Sequence, residues 1–400
     1  MENSAFKPPE FSKKADFATA DFATKADAPA KAEFPTKADA PATPEAPARA
    51  EFPARKEEKP RALIALSGGV DSSVTAALLK ERGYALQGVT LRMWPGACTA
   101  EAERVAAALG IPFEVLEVGA AFAQHVIEPF VEAYRHGKTP NPCALCNRFL
   151  KFGILLEHAR AQQAFLATGH YARVVQKPAG FALHKAKSLE KDQSYFLFGL
   201  KEKELGELLF PLGEHSKAEI RQLAKAHGLP TASKPESMEA CFVPEGYVAF
   251  LEERGLKMPE GDIVDLGGKV LGRHQGLHRF TLGQRRGLGH LGKPTPQYVV
   301  RLEAAQNRVV VGEKAEVFGR HFSLHEPSWV AGAPPLHRPV RVRIRHQHAG
   351  AMGKLLREGE GFAVHLEEAV AAITPGQAAV FYEGEELLGG GWIARGGPTP

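Results

Sequence analysis

The segment Ser67-Gly-Gly-Val-Asp-Ser-Ser73 follows a short apolar stretch, Arg61 to Leu66, and precedes a helical stretch, Val74 to Gly83. The apolar stretch predicts a buried strand, so the seven residues form a turn between a strand and a helix. Glycines let such a turn close tightly around an anion, and the helix N-terminus offers N–H groups to phosphate. The lysine of a Walker A loop is missing. The segment therefore predicts a nucleotide site of another kind, in which Asp71 holds a magnesium ion or orients the loop.

Strands and helices alternate after this turn. Leu86 to Met93, Phe113 to Val118 and Phe165 to Thr168 are predicted strands with helical stretches between them, which indicates a doubly wound parallel sheet. After about residue 230 the segments become short, with Arg279 to Leu282 among the predicted strands, and from Tyr298 onward the pattern is mostly strand. We expect an α/β fold: a doubly wound parallel-sheet domain over 61–230, a small central domain over 231–297 and a C-terminal β-barrel over 298–396.

Composition narrows the classes of protein that fit. The chain has 400 residues and a net charge of +4, which permits a nucleic-acid partner. Residues 2–60 contain no Leu, Ile or Val, so 1–60 is predicted to be a disordered low-complexity extension. Four cysteines are too few for a disulfide scaffold, and no apolar stretch approaches the ~20 residues of a membrane helix. Without a signal-peptide pattern, a cytoplasmic location is expected.

Two cysteines lie at Cys-x-x-Cys spacing in Thr139-Pro-Asn-Pro-Cys-Ala-Leu-Cys-Asn147. Such a pair can form a disulfide, ligate a metal or hold one activated thiolate. Cys98 and Cys241 are the remaining cysteines, so the count alone permits a four-cysteine zinc site. A helix N-terminus near Asn147 would lower the pKa of Cys146, as a nucleophile requires. Cys98 has no such context and is expected to be structural.

Three polar clusters favour RNA as a partner. Lys191 to Phe196 combines charge, amide and aromatic rings, and Arg279 to Leu288 places two arginines in a glycine-flanked loop. Arg341, Arg343 and Arg345 alternate along a predicted strand, so they share one face. Each cluster alone is more often a solvated surface, but three on a net-basic body indicate RNA binding.

These segments together resemble the tRNA-specific 2-thiouridylase family, and the turn resembles the PP-loop of ATP pyrophosphatases. The resemblance runs in order from about Arg61 to Ala394. The matching motifs are Ser67–Ser73, Thr139–Pro142 with Cys146–Asn147, Lys151–Gly153, Thr168–Arg173, Lys191–Leu197, Cys241–Phe242, Gly272–Gly276, Thr281–Leu288 and Ile373–Gln377.

The resemblance implies an ATP-dependent reaction on tRNA. The C2 oxygen of the wobble uridine is adenylated, pyrophosphate leaves, and sulfur replaces the oxygen to give 2-thiouridine and AMP. The implied cofactors are ATP and Mg²⁺. The implied partners are tRNAs for Lys, Glu and Gln, and an upstream sulfur donor such as a cysteine desulfurase or a sulfur-relay protein.

The resemblance also assigns roles to individual residues. Cys241 corresponds to the persulfide carrier and Cys146 to its partner nucleophile. The ATP-contact positions are Ala65, Leu66, Ser67, Gly68, Gly69, Val70, Asp71, Ser72, Leu91 and Gly169. The positions that meet the target base are Asn141, Pro142 and Cys143. The tRNA-contact positions are His170, Lys191, Asp192, Gln193, Arg345, His346 and Gln377.

Two positions depart from the family pattern, which often has Asp at Cys143 and Met at Leu91. The third thiol opens an alternative in which Cys143, Cys146 and Cys241 ligate an iron–sulfur cluster with one iron open for sulfide. The other alternative is a persulfide relay with Cys143 as a spare or resolving thiol. Two rival functions also remain open: a PP-loop ligase acting on a small metabolite, and a non-catalytic tRNA-binding protein.

Overall fold

The structure is a computed structural model that describes residues 59–235, 240–243, 245–332 and 336–397. All of them belong to one compact unit, Ala40–Pro400. The extension predicted over 1–60 lies outside the described residues except for its last two positions. Within the described ranges, no helix combines the length and the apolar character needed to cross a membrane.

A five-stranded parallel sheet with flanking helices forms the first part of the fold, and it confirms the predicted α/β class. The sheet order is third, second, first, fourth and seventh strand, with every pair parallel. Its elements are β1 (Arg61–Ala65), α1 (Val70–Glu81), β2 (Ala85–Arg92), α2 (Ala100–Leu109), β3 (Phe113–Glu117), α3 (Gly119–Phe122), α4 (Glu128–Arg135), α5 (Pro142–Cys146), α6 (Leu155–Ala161), β4 (Phe165–Ala167), β5 (Ala172–Lys177), β6 (Gly180–Lys185), α7 (Glu202–Leu205), β7 (Leu208–Leu209) and α8 (Lys217–Ala226).

The first strand is apolar because both of its faces are covered. Ile64 packs in the cluster with α1 and α2, whereas Leu63 packs in the cluster on the opposite face with α6. The chain leaves β1 for one neighbour, β2, and later returns to pair β4 on the other side. This reversal creates a crevice at the carboxyl ends of β1 and β4, where doubly wound proteins bind ligands.

Helical turns of unusual geometry connect β3 to β4. The helical stretch that follows β3 is divided into α3, a π-helical segment Ala123–Ile127 and then α4. A second π-helical segment, Asn147–Ile154, joins α5 to α6. Such π-helical turns are frequently found at functional sites, and this one begins directly after Cys146.

A four-stranded sheet forms the central part, with β8 and β11 as a parallel pair among antiparallel neighbours. The prediction of a strand from Arg279 to Leu282 is wrong. Residues Leu277–Arg279 form a 3₁₀ turn, and the next residues close a tight turn in which the Thr281 N–H donates to Gln284. The elements are α9 (Tyr247–Glu253), β8 (Gly261–Asp265), β9 (Val270–His274), β10 (Tyr298–Glu303) and β11 (Arg308–Gly312).

The last part is a closed antiparallel barrel, as the sequence predicts. The strand order is β12, β15, β14, β13, β16, β17, and β17 pairs back onto β12. The hairpin β5–β6 extends this sheet, because Leu183 and His184 pair with Leu387 and Glu386 of β17. The barrel strands are β12 (Phe318–Trp329), β13 (Pro339–Arg343), β14 (Ala351–Glu358), β15 (Gly361–Ala371), β16 (Ala378–Glu383) and β17 (Glu386–Gly397).

Candidate active site

The nucleotide loop, Ser67–Ser73, is closed by its own hydroxyl groups. Ser72 Oγ accepts from the Ser67 N–H at 3.2 Å and donates to the Gly69 carbonyl at 3.1 Å. Ser73 Oγ donates to the same carbonyl at 2.8 Å. Gly68 has φ +69°, a conformation that favours glycine. The loop is therefore preformed at the start of α1, where N–H groups and the helix dipole favour an anion.

Asp71 orients this loop and does not fit a magnesium ligand in this arrangement. Lys217 Nζ lies 2.7 and 2.8 Å from the two carboxylate oxygens, and the Tyr171 hydroxyl donates to Oδ1 at 2.8 Å. Of the two alternatives for Asp71, the structure supports the orienting one. Lys234 adds a further cation, because its Nζ donates to the Gly68 carbonyl and pairs with Glu101.

The turn after β4 meets the nucleotide loop backbone to backbone. A Cβ added to Gly169 would lie 3.0 Å from Asp71 C and Ser72 N, so the close approach depends on glycine here. Leu91 lies at the carboxyl end of β2 and packs against the apolar cluster that contains Cys146. The predicted ATP-contact positions therefore surround the crevice between β1 and β4, with Leu91 on its thiol side.

The thiol loop, Thr139–Cys146, contains α5 as its second part. Asn141 caps this helix by accepting from the Ala144 N–H at 3.3 Å, and Pro142 occupies its first turn. Cys143 is exposed, whereas Cys146, at the end of α5, is 8% exposed. The expectation of a helix N-terminus near Asn147 is wrong, because the helix begins at Pro142 and continues through Asn147 as π-helix.

Desolvation by the surrounding protein dominates the electrostatics of the three thiols, although only Cys146 is buried and Cys143 and Cys241 keep exposed surface. It raises the pKa of Cys146 and of Cys143, and it raises the pKa of Cys241 to about 11, with the other two thiols adding to the effect on Cys241. The predicted lowering of the Cys146 pKa is therefore wrong. The positive charge of Lys151 opposes the rise at all three thiols. Phe242, the neighbour of Cys241, packs in the same apolar cluster as Cys146, and Cys146 contributes to the raised pKa of Cys241, so the fold brings these two segments near each other.

The three thiols do not fit an iron–sulfur cluster as they are arranged here. Over the described ranges, which include all four cysteines, no group of three or more His, Cys, Asp or Glu side chains is placed to hold a metal ion. All four cysteines are free thiols.

The thiol loop is fixed by the central domain and the barrel. Gln377 Nε2 donates to the carbonyls of Thr139 and Pro140, each at 3.1 Å. The Thr139 N–H donates to the Pro375 carbonyl at 2.9 Å, and its hydroxyl bonds that of Thr281. A cavity of about 420 Å³ opens beside this junction, and Arg345 and Gln377 are among its lining residues.

The predicted tRNA-contact residues divide into buried and accessible groups. Arg345 is exposed, and Lys191, Gln193, His346 and Gln377 are half-buried. His170 and Asp192 are buried, unlike groups that contact RNA directly. His170 Nδ1 bonds Thr168 Oγ1 at 2.7 Å, and burial together with the charge of Lys151 lowers the pKa of His170 well below its usual value.

Several residues that support the site had no predicted role. Lys217 and Tyr171 hold Asp71, and Lys151 acts on all three thiols. Tyr171 and Lys151 lie in motifs that carry the family resemblance, and this could have indicated a role for them. Lys217 lies in no such motif. Its role depends on the packing of α8 against α1.

Fold and site together define an α/β protein with a preformed phosphate loop at its sheet crevice and a thiol loop held by two further domains. Family models match all three parts: a tRNA methyl transferase HUP domain over 60–245, a tRNA methyl transferase PRC-barrel domain over 248–313 and an aminomethyltransferase β-barrel domain over 319–393.

Curated relatives identify the family. The chain is 48% identical to the tRNA-specific 2-thiouridylase MnmA of Acidithiobacillus ferrooxidans over 346 residues, which cover 83% of this chain and 98% of the relative. It is 46% identical to the tRNA-specific 2-thiouridylase MnmA of Chloroflexus aurantiacus over 352 residues, with the same coverage. The chain belongs to the tRNA-specific 2-thiouridylase family. Among solved structures it is similar to an NH3-dependent NAD synthetase from Campylobacter jejuni, with 17% identity, a TM-score of 0.30 and coverage of 50% of this chain and 77% of that one.

Proposed function

We propose that this protein is an ATP-dependent sulfurtransferase that converts the wobble uridine of tRNA to 2-thiouridine. The single observation that carries the proposal is that one apolar cluster contains Cys146, Leu91 and Phe242, the neighbour of Cys241, although Cys146 and Cys241 are 95 positions apart in sequence. A nucleotide-binding protein that only ligates a metabolite has no need of two cysteine segments gathered beside its nucleotide site. The relatives named above are 2-thiouridylases, which favours the same reaction.

ATP is proposed to bind with its phosphates on Ser67–Ser73 and its adenine near Leu91. The C2 oxygen of uridine attacks the α-phosphorus, and pyrophosphate leaves. The N-terminus of α1 and the ammonium groups of Lys217 and Lys234 favour the phosphate charge. Mg²⁺ is proposed to arrive with the phosphates, since Asp71 is already engaged.

The target base is proposed to lie against Asn141, Pro142 and Cys143. Asn141 is 5% exposed, and its Nδ2 makes no well-formed hydrogen bond among the described residues, although the side chain approaches the Tyr195 hydroxyl. A buried amide donor that is only weakly paired gains when a ligand accepts from it. The exocyclic or ring acceptors of an inserted uridine would do so.

Sulfur transfer is proposed to run through a persulfide on Cys241. Its terminal sulfur attacks C2 of the adenylated base, and AMP leaves with the former C2 oxygen. The Cys146 thiolate then attacks Sγ of Cys241 and breaks the bond between Sγ and the sulfur on C2. This step forms a Cys146–Cys241 disulfide and releases 2-thiouridine. Alternatively, Cys146 attacks the persulfide first and releases hydrosulfide, with the same disulfide as by-product. An external thiol reduces that disulfide, and a persulfide-bearing donor protein reloads Cys241.

Finer parts of the proposal follow the family resemblance. The substrates are proposed to be tRNAs for Lys, Glu and Gln. Residues 61–230, 231–297 and 298–396 are proposed as the three domains, with hairpin β5–β6 pairing onto the barrel sheet.

The proposal is tested by nucleoside mass spectrometry of unmodified tRNA after incubation with the protein, Mg-ATP and a persulfide source. We expect 2-thiouridine only when ATP is present. Cys146→Ala is expected to abolish it, and Cys98→Ala, the matched control, to retain it. Cleavage of ATP to AMP without 2-thiouridine would point to another adenylated substrate, and a methylated nucleoside would overturn sulfur transfer.

A further inference from the structure

Arg343 is the buried member of the row Arg341, Arg343 and Arg345. Val340, Val342 and Ile344 belong to the barrel core, and Arg341 and Arg343 alternate with the valines on the outer face of β13. The strand ends at Arg343, so the predicted shared strand face does not extend to Arg345, which follows in a bend. Arg341 and Arg345 are exposed there, but Arg343 is 9% exposed. The segment Ala186–Phe196 of the first domain covers it. Arg343 therefore does not belong to a solvated basic face.

The partner of Arg343 is Asp192, which is 1% exposed. Arg343 Nη1 donates to Asp192 Oδ2 at 2.6 Å. The same carboxylate accepts from the N–H groups of Ala186 and Ser194 and from the Ser194 hydroxyl, at 3.2, 3.1 and 2.9 Å. Every oxygen of Asp192 is thus engaged by protein groups. This side chain has no lone pair directed at a ligand, although its two neighbours in sequence are predicted tRNA contacts.

The rest of the Arg343 guanidinium holds the second predicted contact segment. Its Nε donates to the His348 carbonyl at 3.1 Å, and its Nη2 donates to the His346 carbonyl. His346 Nε2 in turn bonds the Asp192 carbonyl at 2.9 Å, and its ring packs at a tilt of 33° against Phe196 with centroids 4.6 Å apart. One side chain therefore ties residues 345–348 of the barrel to residues 191–196 of the first domain.

We propose that Arg343 and Asp192 form a positioning pair that fixes the spacing of two RNA-binding segments, Lys191–Gln193 and Arg345–His346, without touching RNA. The inference rests on the proposed function, because it requires that these segments bind tRNA. Arginine suits the task because its planar fork donates in three directions at once, which a lysine ammonium on a flexible stem does not reproduce.

The test compares tRNA affinity and kinetics of Arg343→Gln, Asp192→Asn, the double variant and Arg343→Lys. Arg357→Gln is the matched control, because it removes one exposed arginine at the far end of β14. The wild-type protein is first shown to bind and thiolate tRNA. Failure at that step refutes the proposed function and leaves no ground for the pair.

We expect each single variant to raise KM for tRNA about tenfold, with kcat changed less than about threefold, as the loss of a buried charge partner at a binding surface would do. The double variant is expected to be no worse than the worse single variant, because both residues act through one contact. ATP affinity measured without tRNA should stay unchanged in all of them.

Arg343→Lys separates positioning from direct contact. If Arg343 bound a phosphate, lysine would restore most of the affinity; if it positions two segments, lysine restores little. Full rescue by Arg343→Lys, or additive losses in the double variant, would overturn the inference. Should Arg343→Gln fail to fold, as judged by circular dichroism and Tm, the near-isosteric Asp192→Asn decides, and an unchanged KM there would refute the pair.

Discussion

The nucleotide loop and the thiol loop are supported in opposite ways. The described contacts that hold Ser67–Ser73 come from its own serines, from Gly169, Tyr171 and Lys217 of the first domain, and from Lys234 just beyond its boundary. The described contacts that hold the start of the thiol loop come from elsewhere. Thr281 of the central domain and Pro375 and Gln377 after β15 fix Thr139 and Pro140.

The difference separates the two halves of the proposed reaction. In the proposed mechanism, ATP activation would depend mainly on the first domain, whereas presentation of the thiols would depend on how the barrel and the central domain are seated. The proposed tRNA contacts Arg345 and Gln377 belong to the barrel, so on this proposal part of tRNA binding shares its supports with thiol presentation. Perturbing the first domain should abolish nucleotide binding, and perturbing the barrel should spare it.

The largest effect is expected on ATP affinity from Gly169→Val, which perturbs the nucleotide loop from within the same domain. The new side chain would begin 3.0 Å from Asp71 C and Ser72 N, both backbone atoms that cannot swing aside. We expect ATP affinity to fall about 100-fold, near the upper limit of the strain caused by overpacking. Isothermal titration calorimetry without tRNA measures it.

Gly361→Val is the matched control for this substitution. Gly361 lies at the start of β15, and its nearest neighbour to an added Cβ is 3.7 Å away. ATP affinity should remain at the wild-type value in this variant. An unchanged affinity in Gly169→Val as well would show that the β4 turn does not define the nucleotide site.

The same contrast explains what could be predicted from the sequence. The nucleotide loop, its strand and its helix are contiguous, so their pattern suffices to place them. The pKa of Cys146 depends on the residues packed around its thiol, such as Phe242 and Leu150, which tertiary folding places there. The predicted direction of the pKa shift was therefore wrong. The Arg279–Leu282 strand failed because a side-chain bond from Gln284 stabilises a turn that hydrophobic alternation does not reveal.

The two buried residues among the predicted RNA contacts illustrate the same limit. Residue type at Asp192 and His170 indicates polarity and hydrogen bonding, which the structure does provide. Only tertiary packing shows that their partners are Arg343 and Thr168 within the protein.

A smaller effect is expected on the thiolation rate from Gln377→Leu, which removes a contact between the barrel and the thiol loop. Two carbonyls, those of Thr139 and Pro140, lose their donor. At about 1 kcal/mol for each of the two hydrogen bonds, the thiolation rate should fall about thirtyfold while ATP affinity is unchanged. A direct RNA contact by Gln377 would give a similar loss of rate.

Alkylation of Cys143 in the absence of tRNA distinguishes the two explanations. If Gln377 holds the thiol loop, the rate of labelling by iodoacetamide changes in Gln377→Leu without any RNA present. Gln162→Leu, on the opposite side of the first domain from these contacts, serves as control. A labelling rate equal to wild type would limit Gln377 to RNA contact.

The pH dependence of Cys241 sharpens the comparison further. Because burial disfavours the thiolate, its pKa is raised to about 11, and the thiolate fraction still increases with pH well above neutrality. Alkylation of Cys241 in the tRNA-free protein should rise about tenfold from pH 8 to pH 9, whereas a free thiol with a pKa of about 8.5 rises only about threefold. Mass spectrometry after timed labelling measures the alkylation rate of the Cys241 peptide and that of glutathione, which is added to the same sample as the free-thiol reference. A plateau for Cys241 below pH 9 would contradict the raised pKa.

The smallest effect is expected from Lys151→Met, which removes a charge from the thiol site while leaving its hydrogen bonds in place. The ammonium of Lys151 opposes the rise in the pKa values of Cys143, Cys146 and Cys241. Its loss should therefore raise these three pKa values further and reduce each thiolate fraction at pH 8. One unit charge acting through partly solvated protein is worth about a twofold to fivefold change in labelling rate. Lys151→Arg keeps the charge and should keep the rate, and ATP affinity should be the same in both, because within the described residues no hydrogen bond or ion pair joins Lys151 to the nucleotide loop. Equal slowing at all three cysteines would show that one charge serves the whole thiol site, and slowing at Cys143 alone would place Lys151 outside the Cys146–Cys241 pair.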